Sequence, residues 1–198
     1  MPDRNMDFTE KLKSSLLSLT QIPESELNDF CENLKYKQYQ KGTFLCQEGQ
    51  VEYHIYYLLS GATRNYFQKD GKDFTVSFHF ENEFVSAYYS FLTREPSRFS
   101  IEIIQDAEVI LIPYQHLHDF YKKSVNGERI GRLIAESQYI KRLQREMELL
   151  SLTAEERYAK LMEFNPALIQ TISIKHLSSF LGIQPESLSR IRKQYLRN

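Results

Sequence analysis

The sequence is poor in cysteine and has no long apolar run. Cys31 and Cys46 are its only cysteines, and two thiols alone cannot supply the four thiolates of an iron–sulfur or zinc site. No apolar run approaches the roughly 20 residues that a membrane-spanning helix requires. The first residues lack the apolar stretch and cleavage site of a secretory signal. We therefore expect a cytoplasmic protein without membrane contact.

The motifs of common catalytic sites are also missing. No pairing of a nucleophile with a base can be recognised, and no glycine-rich loop could cradle a phosphate group. His116 and His118 have an His-x-His spacing that would suit a metal site on a cupin-like roll. However, they fall in a predicted helix after Pro113, without a suitably placed glutamate. We expect no enzyme, no cofactor and no bound metal, and a cupin-like metal protein is one alternative.

Charge is distributed unevenly along the chain. The net charge is −1 at pH 7. Residues 171–198 contain five Lys and Arg residues against one glutamate, which is a net +4, so the remainder carries −5. A basic end on an acidic body is an indication of nucleic-acid contact, although many terminal helices are basic for solubility alone.

Short strands dominate the first half of the chain. Residues 7–19 and 23–34 have the pattern of two short helices. From about 35 to 113, runs rich in Tyr, Phe, Ile and Val alternate with glycines, and Lys-Asp-Gly-Lys at 69–72 is a hairpin signal. This pattern predicts an antiparallel barrel, sandwich or roll. Residues 82–98 interrupt the strands and predict a loop with a short helix, where a ligand could bind.

Helical periodicity returns after Pro113. It predicts a short helix over 114–124 and a long helix over about 127–150. Apolar residues recur along the long helix at steps of three and four, with Glu136 as the one gap, which is close to a coiled-coil seam. The seam predicts a homodimer, and the alternative is a helix packed on its own domain. The seam residues are Leu133, Ile140, Leu143, Met147 and Leu150.

The last third of the chain predicts three more helices. Thr153 and Glu156 form a capping box that starts a helix ending at Asn165 and Pro166. Ser173 is a good N-cap for the next helix, and Gly182 suits the left-handed conformation that ends it. Pro185 then occupies a first helical position. Two helices joined by a tight turn are the layout of a DNA-reading helix–turn–helix.

The last helix has one apolar and one polar face. Leu188, Ile191 and Tyr195 are predicted to be buried, and Arg190 lies on the exposed face. Its guanidinium can pair with guanine, while Glu186 can accept from cytosine, each good pair discriminating by roughly 1–3 kcal/mol. A hairpin that only packs is the alternative. The predicted DNA-contact residues are Ser173, Lys175, Gln184, Pro185, Glu186, Ser187, Ser189, Arg190 and Lys193.

Three segments together resemble the Crp/Fnr regulators, the catabolite activator protein group. "KGTFLCQEG" (41–49) resembles the family's K-G-x-x-L-x-x-x-G, and "YYLLSGATRNY" (56–66) resembles its strand–Ser-Gly–strand turn. "PESLSRIRK" (185–193) resembles its recognition helix, except that Pro185 replaces the first Arg of the family's usual pattern. The resemblance covers nearly the whole chain. It implies double-stranded DNA, RNA polymerase and an unidentified small effector as partners.

The resemblance also implies a fold and its division. We expect an α+β chain with a double-stranded β-helix (jelly roll) of the cyclic-nucleotide-binding type over 1–125. A dimerisation helix over 126–151 and a DNA-binding helix–turn–helix domain over 152–198 follow it. Because the chain ends about where the family's recognition helix ends, we expect no full β wing.

The expected effector pocket departs from the family pattern. Cyclic-AMP-binding members carry Phe-Gly-Glu-Leu and then Arg-Ser, and their long helix supplies a Thr-Ser pair. Of the polar groups in these motifs only an arginine remains here. Losing most polar partners should abolish useful affinity, so we expect that cyclic AMP is not the effector. The equivalent positions are Phe84, Ser86, Ala87, Tyr88, Arg98, Phe99, Arg142 and Leu143.

Overall fold

The structure, a computed structural model, describes residues 5–164 and 166–195. Helices precede, interrupt and follow a six-stranded antiparallel sheet. In chain order the elements are α1 (Asn5–Leu19), α2 (Glu24–Cys31), β1 (Lys35–Tyr39), β2 (Phe44–Cys46), β3 (His54–Lys69), β4 (Lys72–Phe80), β5 (Phe84–Val85), α3 (Tyr88–Thr93), β6 (Ser100–Pro113), α4 (Tyr114–Lys123), α5 (Gly127–Ser151), α6 (Ala154–Phe164), α7 (Pro166–Thr171), α8 (Ile174–Leu181) and α9 (Pro185–Tyr195).

The chain divides into two compact units. The first consists of the residues up to Tyr66 together with Phe78–Glu136, and the second of Phe67–Ser77 and the residues from Ser137 onward. The tip of the β3–β4 hairpin therefore belongs to the second unit, and α5 contributes residues to both. The predicted boundaries after residues 125 and 151 separate regions of different expected function, and they stay a prediction.

The sheet confirms the predicted antiparallel roll. Its strand order is β1-β6-β3-β4, with β2 also paired to β6 and β5 to β3. The Lys69–Lys72 turn is the predicted hairpin, and Asp70 and Gly71 adopt positive φ values of 51° and 71°. Two consecutive positive φ values are those of the tight hairpin turns that match the twist of their strands.

The predicted turn at Ser60 and Gly61 is wrong. Residues 54–69 form one continuous strand, and its pairing with β6 shifts register between Leu58 and Thr63. Gly61 has φ +87°, and a Cβ there would lie 2.4 Å from the Asp106 carbonyl oxygen. The glycine therefore forms a bulge within a strand, because only a residue without a side chain fits this close approach.

The segment 56–59 of strand β3 is buried on both faces, which explains its continuous apolar sequence Tyr-Tyr-Leu-Leu. Successive side chains of a strand point to opposite faces. Tyr57 and Leu59 pack in one cluster with residues of α1, α2 and α4, while Tyr56 and Leu58 pack in a second cluster with β5 and β6. Both clusters belong to the first unit. A strand that is covered on both faces does not need the alternation of apolar and polar residues found in a half-exposed strand.

The helices mostly follow the predicted boundaries. The short helix predicted within 82–98 is α3, and those predicted at 114–124 and 127–150 are α4 and α5. Helix α2 is shorter than predicted and ends at Cys31. The sequence interpretation missed α7, which begins at Pro166 directly after the predicted break. Among the described residues, no helix combines the length and the apolar character that crossing a membrane requires.

Candidate nucleic-acid interface

Helix α8 begins with the predicted cap. The Ser173 side chain accepts a hydrogen bond from the His176 backbone N–H at 3.1 Å. This satisfies one of the four N–H groups that the first helical turn leaves without a partner. The hydroxyl that was predicted to contact DNA phosphate is therefore already used as a helix cap.

Gly182 ends α8 in the left-handed conformation, as predicted. Its φ is 70°, and the Ile183 N–H donates to the Ser178 carbonyl at 3.0 Å. Helix α9 then begins at Pro185, where the missing N–H costs nothing. The turn is thus fixed by local backbone hydrogen bonds, by the left-handed Gly182 and by Pro185 at the start of α9.

Apolar residues hold the two helices together. Leu177, Leu181 and Leu188 are fully buried, and Ile191 is nearly so. Tyr195 was predicted to be buried, but it is 41% exposed. Its ring meets the edge of Tyr158, with 5.5 Å between centroids. The last turn of α9 packs loosely because this tyrosine lies at the margin of the apolar face.

The outer face of α9 carries the predicted reading residues. Glu186, Arg190 and Lys193 are exposed and lie at helical spacing, since the three- and four-residue steps bring them to one side. Ser189 was predicted to be exposed, but it is half-buried and its hydroxyl donates to the Pro185 carbonyl at 3.1 Å. Gln184 is exposed, and Pro185 and Ser187 are half-buried.

Lys175 is not isolated on α8, because the β3–β4 hairpin contacts this helix. The ammonium lies 3.3 Å from the Asp73 carboxylate, which is largely buried. The Ser179 hydroxyl donates to the Asp73 carbonyl at 2.8 Å and accepts from the Thr75 N–H at 2.9 Å. One side of α8 is thus fixed to the hairpin. No local sequence pattern indicates this contact, since the partners are more than 100 residues apart.

The predicted seam of α5 is exposed in the monomer. Ile140 is 53% exposed, Met147 59% and Leu150 84%, and Leu143 is also exposed. Leu133 is half-buried. Large apolar side chains that line one face of a helix and remain in contact with water are typical of an interaction surface.

The expected effector-pocket residues have mixed surroundings. Ala87 is buried and offers no side-chain hydrogen bond, while Tyr88 is 42% exposed. The Phe84 ring packs on Tyr57 at 5.0 Å between centroids. The Ser86 hydroxyl donates to the His54 carbonyl at 2.9 Å. These four residues therefore take part in packing and backbone contacts of the roll.

The remaining expected pocket residues differ in exposure and contacts, and Phe99 packs against a core cluster that also contains Ala87. Arg98 is exposed, and its guanidinium lies over the Tyr89 ring, 4.8 Å from the centroid. Phe99 packs against the second core cluster. On α5, Arg142 and Leu143 are both exposed.

The roll buries polar residues that the sequence interpretation missed. The Arg64 side chain is 2% exposed and forms an ion pair with Glu102 at 2.8 Å. On the opposite face of β3, Thr63 and Asn65 are buried beside Ile103 and Ile101. The Thr63 hydroxyl and the Asn65 carbonyl oxygen have no hydrogen-bond partner among the residues that the structure describes. Buried polar atoms without partners are uncommon and often mark a site for a water or a ligand.

Glu52 is a buried carboxylate in the same unit. One oxygen accepts from the backbone N–H groups of Tyr53 and His54 at 2.9 Å and from the Tyr56 hydroxyl at 3.2 Å. Burial raises the pKa of Glu52, although these hydrogen bonds act in the opposite direction. Burial also raises the pKa of the Cys31 thiol to about 11 and that of Cys46 to about 12.

The two histidines of the His-x-His pair lie on one helix and contact different neighbours. The His116 ring nitrogen lies 2.7 Å from the Phe30 carbonyl, whereas the His118 ring packs on Tyr114, with 4.1 Å between centroids. Side chains two residues apart on a helix do not face each other. Within the described part of the chain, no group of three or more His, Cys, Asp or Glu residues is placed to hold a metal ion.

Residues 36–124 match the family model of the cyclic nucleotide-binding domain. This range contains the sheet, except for the first residue of β1, and the loop that carries α3. No curated protein matches the chain. This match therefore concerns residues 36–124 and does not extend to α8 and α9.

Solved structures of similar fold cover both units. FixK2 from Bradyrhizobium japonicum is 22% identical with a TM-score of 0.71, and the alignment covers 81% of this chain and 83% of that one. A Crp/Fnr-family protein from Eubacterium rectale is 16% identical with a TM-score of 0.70, over 88% and 84% of the two chains. The Thermus thermophilus catabolite activator protein is 16% identical with a TM-score of 0.56, over 92% and 87%. At these identities the similarity to the Crp/Fnr structures shows the fold alone.

Proposed function

We propose that this chain is a sequence-specific, DNA-binding transcription regulator of the Crp/Fnr type that acts as a homodimer. One observation carries the proposal. Helix α9 is anchored by Leu188 and Ile191 and presents Glu186, Arg190 and Lys193 outward, directly after a capped turn. A helix that only packed would need the apolar face but not the exposed cations.

The residues of α9 suit direct reading of a major groove. A recognition helix contacts base edges through its N-terminal half. Arg190 can donate two hydrogen bonds to a guanine, and Glu186 can accept one from the amino group of cytosine. Pro185 has no N–H and occupies the position where the family pattern has an arginine. The base preference should therefore depend mainly on Glu186 and Arg190.

Phosphate contacts would fix the register of α9 on the duplex. Lys175, Gln184, Ser187 and Lys193 have donors near the N-terminal ends of α8 and α9 or along the exposed face of α9. Such contacts position a protein without reading sequence, and each neutralised phosphate increases the salt dependence. Ser173 is a weaker candidate than the other four, because its hydroxyl already caps α8.

The exposed seam of α5 supports the homodimer. In a two-fold dimer the same seam on two copies would cover Ile140, Met147 and Leu150. Two-fold symmetry would also place two copies of α9 on half-sites about one helical turn apart. The operator is therefore expected to be a palindrome.

Cyclic AMP is proposed not to be the effector. At the position of the family's ribose-binding glutamate, Ala87 has no acceptor in its side chain. Tyr88 and Phe99 add bulk beside it, and Arg98 stacks on Tyr89 at the surface. A site that has lost most of its polar partners discriminates poorly and binds weakly.

A second candidate function is the binding of a cyclic nucleotide or another small effector in the roll. Two observations favour it: the match of residues 36–124 to the cyclic nucleotide-binding domain, and the unpaired buried oxygens of Thr63 and Asn65. A ligand with hydrogen-bond donors could satisfy these two acceptors. Such a ligand would differ in chemistry from one bound through a glutamate and an arginine.

Selection of bound sequences from a random duplex library tests the function. The purified full chain is used in two arms, with and without cyclic AMP. A palindromic motif enriched in both arms is the expected result. A motif enriched only with cyclic AMP would favour the second candidate and contradict the lost pocket. Absence of any motif in both arms, for a folded dimer, would count against DNA reading by α9.

A further inference from the structure

Two arginines of the second unit lie close to each other without a carboxylate partner. Arg145 of α5 donates to the Phe180 carbonyl and stacks on the Phe180 ring, 3.8 Å from its centroid. Arg157 of α6 donates to the Leu152 carbonyl and, at 3.0 Å, to the Leu181 carbonyl. Both guanidinium groups therefore bond to backbone carbonyls, and two of these carbonyls belong to the last turn of α8.

Neither guanidinium is fully satisfied by these contacts. The Nε–H groups of Arg145 and Arg157 are buried, and no described residue offers them an acceptor. Within the described part of the chain, neither arginine has a carboxylate at ion-pair distance. Desolvation lowers the pKa of Arg145 to about 10, and the neighbouring charge of Arg157 acts in the same direction. The charge of Glu148 acts on the pKa of Arg145 in the opposite direction, but it is the smallest of the three effects. Two partly buried like charges with no carboxylate at ion-pair distance are costly, and a bound anion would reduce that cost.

The two arginines line one cavity. Its volume is about 470 Å³, and its wall also contains Lys160, Leu161 and Phe180. Glu148 and Glu163 complete the wall, so its formal charges are three positive and two negative. Glu148 is paired with Lys160 at 3.0 Å and Glu163 is exposed, so the wall, with the two guanidinium groups included, keeps a net formal charge of +1. The cavity is wide open to solvent, so it suits a small hydrated ion better than a ligand that must be enclosed.

We propose that this cavity binds a small oxyanion, a phosphate or carboxylate group of a metabolite, between Arg145 and Arg157. The planar guanidinium groups suit oxyanions because they donate in a fixed fork geometry. The guanidinium N–H groups that are not used in the carbonyl contacts would donate to the ion, and the Lys160 ammonium at the wall, although paired with Glu148, would add to the attraction. A ligand that carries apolar atoms as well would contact Leu161 and Phe180.

The position of the cavity gives the anion a role in the second unit. Its wall includes α5, α6 and α8, and the two arginines already hold the carbonyl end of α8. An anion between them would stabilise the end of α8 from which the turn to α9 starts. This regulatory consequence rests on the proposed function, whereas the binding itself does not depend on it.

Isothermal titration calorimetry without DNA tests the site. The full chain is titrated with inorganic pyrophosphate and, separately, with citrate, at constant ionic strength in chloride. Saturable binding of one ion per chain is expected. Arg145→Gln should weaken it about tenfold, the loss expected for one charged hydrogen-bonding partner. Lys160→Gln, at a side chain that is 54% exposed and tolerant of change, should weaken it several-fold.

A variant that should strengthen ion binding distinguishes a specific site from general charge effects. Glu148→Gln removes a carboxylate from the wall and releases Lys160, so binding should tighten several-fold. The matched control is Arg132→Gln on α5, an exposed arginine paired with Glu136 at 2.6 Å and outside the cavity wall. It removes the same charge as Arg145→Gln and should leave the affinity for the ion unchanged.

Three outcomes would overturn the proposal. The first is no saturable binding of either ion by the folded protein. The second is equal binding by the Arg145→Gln, Lys160→Gln and Arg132→Gln variants. The third is loss of ion binding in Arg190→Gln, which would assign the ion to the outer face of α9 as a mimic of DNA phosphate. Because DNA is absent, none of these outcomes bears on whether α9 reads a duplex.

Discussion

Arginine has three different environments in this protein. Arg64 is buried in the roll and paired with Glu102, Arg145 bonds to a helix carbonyl beside a cavity, and Arg190 is exposed on α9. The residue type alone therefore does not indicate a role. Exposed arginines on a helix face are available for bases or phosphates, whereas a buried ion pair or a carbonyl contact is part of the structure.

Two cations of α9 should differ in their effect on DNA binding. Arg190→Ala should relax the base preference by about 1–3 kcal/mol at one position of each half-site, because it removes a base-edge contact. Lys193→Ala should weaken binding to all sequences evenly and lower the salt slope by about one, because it removes a phosphate contact. Anisotropy titrations at several salt concentrations measure both. An unchanged salt slope for Lys193→Ala would exclude its phosphate role.

The buried Glu52 should make stability depend on pH in a defined direction. Its pKa is raised in the folded protein, so the native state holds the proton to higher pH than the unfolded chain does. The contribution of Glu52 to the free energy of unfolding is therefore complete below the pKa of a glutamate in the unfolded chain, about 4.3. It is lost as pH rises through the higher pKa of the native state. Relative to Glu52→Gln, the unmodified protein should become less stable as pH rises across this window.

Chemical denaturation at a series of pH values between 4 and 8 measures this difference. The exposed Glu155→Gln serves as the control, since it removes a carboxylate of α6 at the surface. A difference between Glu52→Gln and the unmodified protein that stays constant or changes in the opposite direction would contradict the assignment.

At the scale of elements, α8 and α9 were predicted from local signals and β3 was not. The caps Ser173, Gly182 and Pro185 act on neighbouring residues, so their effect can be read from the sequence. The interruption at Gly61 was interpreted as a turn because Ser-Gly commonly marks one. Pairing with β6 overrides this signal, since strand hydrogen bonds continue on both sides of the bulge.

The contact between the β3–β4 hairpin and α8 leads to a third prediction. Asp73→Asn removes the charge that neutralises Lys175 while keeping the size of the side chain. Lys175 then becomes available for a DNA phosphate. We expect duplex binding to tighten a few-fold and the salt slope to increase by about one.

A matched variant exists in the same hairpin. Asp70→Asn removes the same charge three residues away, and asparagine tolerates the positive φ of 51° at that position. If Asp73 competes with DNA phosphate for Lys175, Asp73→Asn should tighten duplex binding more than Asp70→Asn does. Equal effects of the two variants would mean that only the overall charge changed.

At the scale of the whole molecule, the exposed seam of α5 predicts self-association. Met147→Glu should dissociate the dimer, because two-fold symmetry would bring two carboxylates close together in an apolar interface. Sedimentation equilibrium at micromolar concentration measures the change. Lys141→Gln on α5 is the control, since it changes the charge equally but lies away from the seam. A monomeric unmodified protein, or a Met147→Glu variant that stays dimeric, would contradict the proposed interface.

The sequence by itself determined the features that depend on neighbouring residues. These are the positions of α4, α5, α6, α8 and α9, the 69–72 hairpin, the capped turn at Gly182 and the exposure of Glu186, Arg190 and Lys193. Helical periodicity and capping act within a few residues, so the sequence expresses them directly.

Only the tertiary structure decided which polar residues meet. Asp73 and Lys175, Arg64 and Glu102, and Arg145 and the Phe180 carbonyl are pairs separated by about 35 to 100 residues. Their meeting depends on strand register and on how helices pack, and no local pattern encodes either. The electrostatics of α8 and of the arginine cavity therefore follow from the fold, although each residue is visible in the sequence.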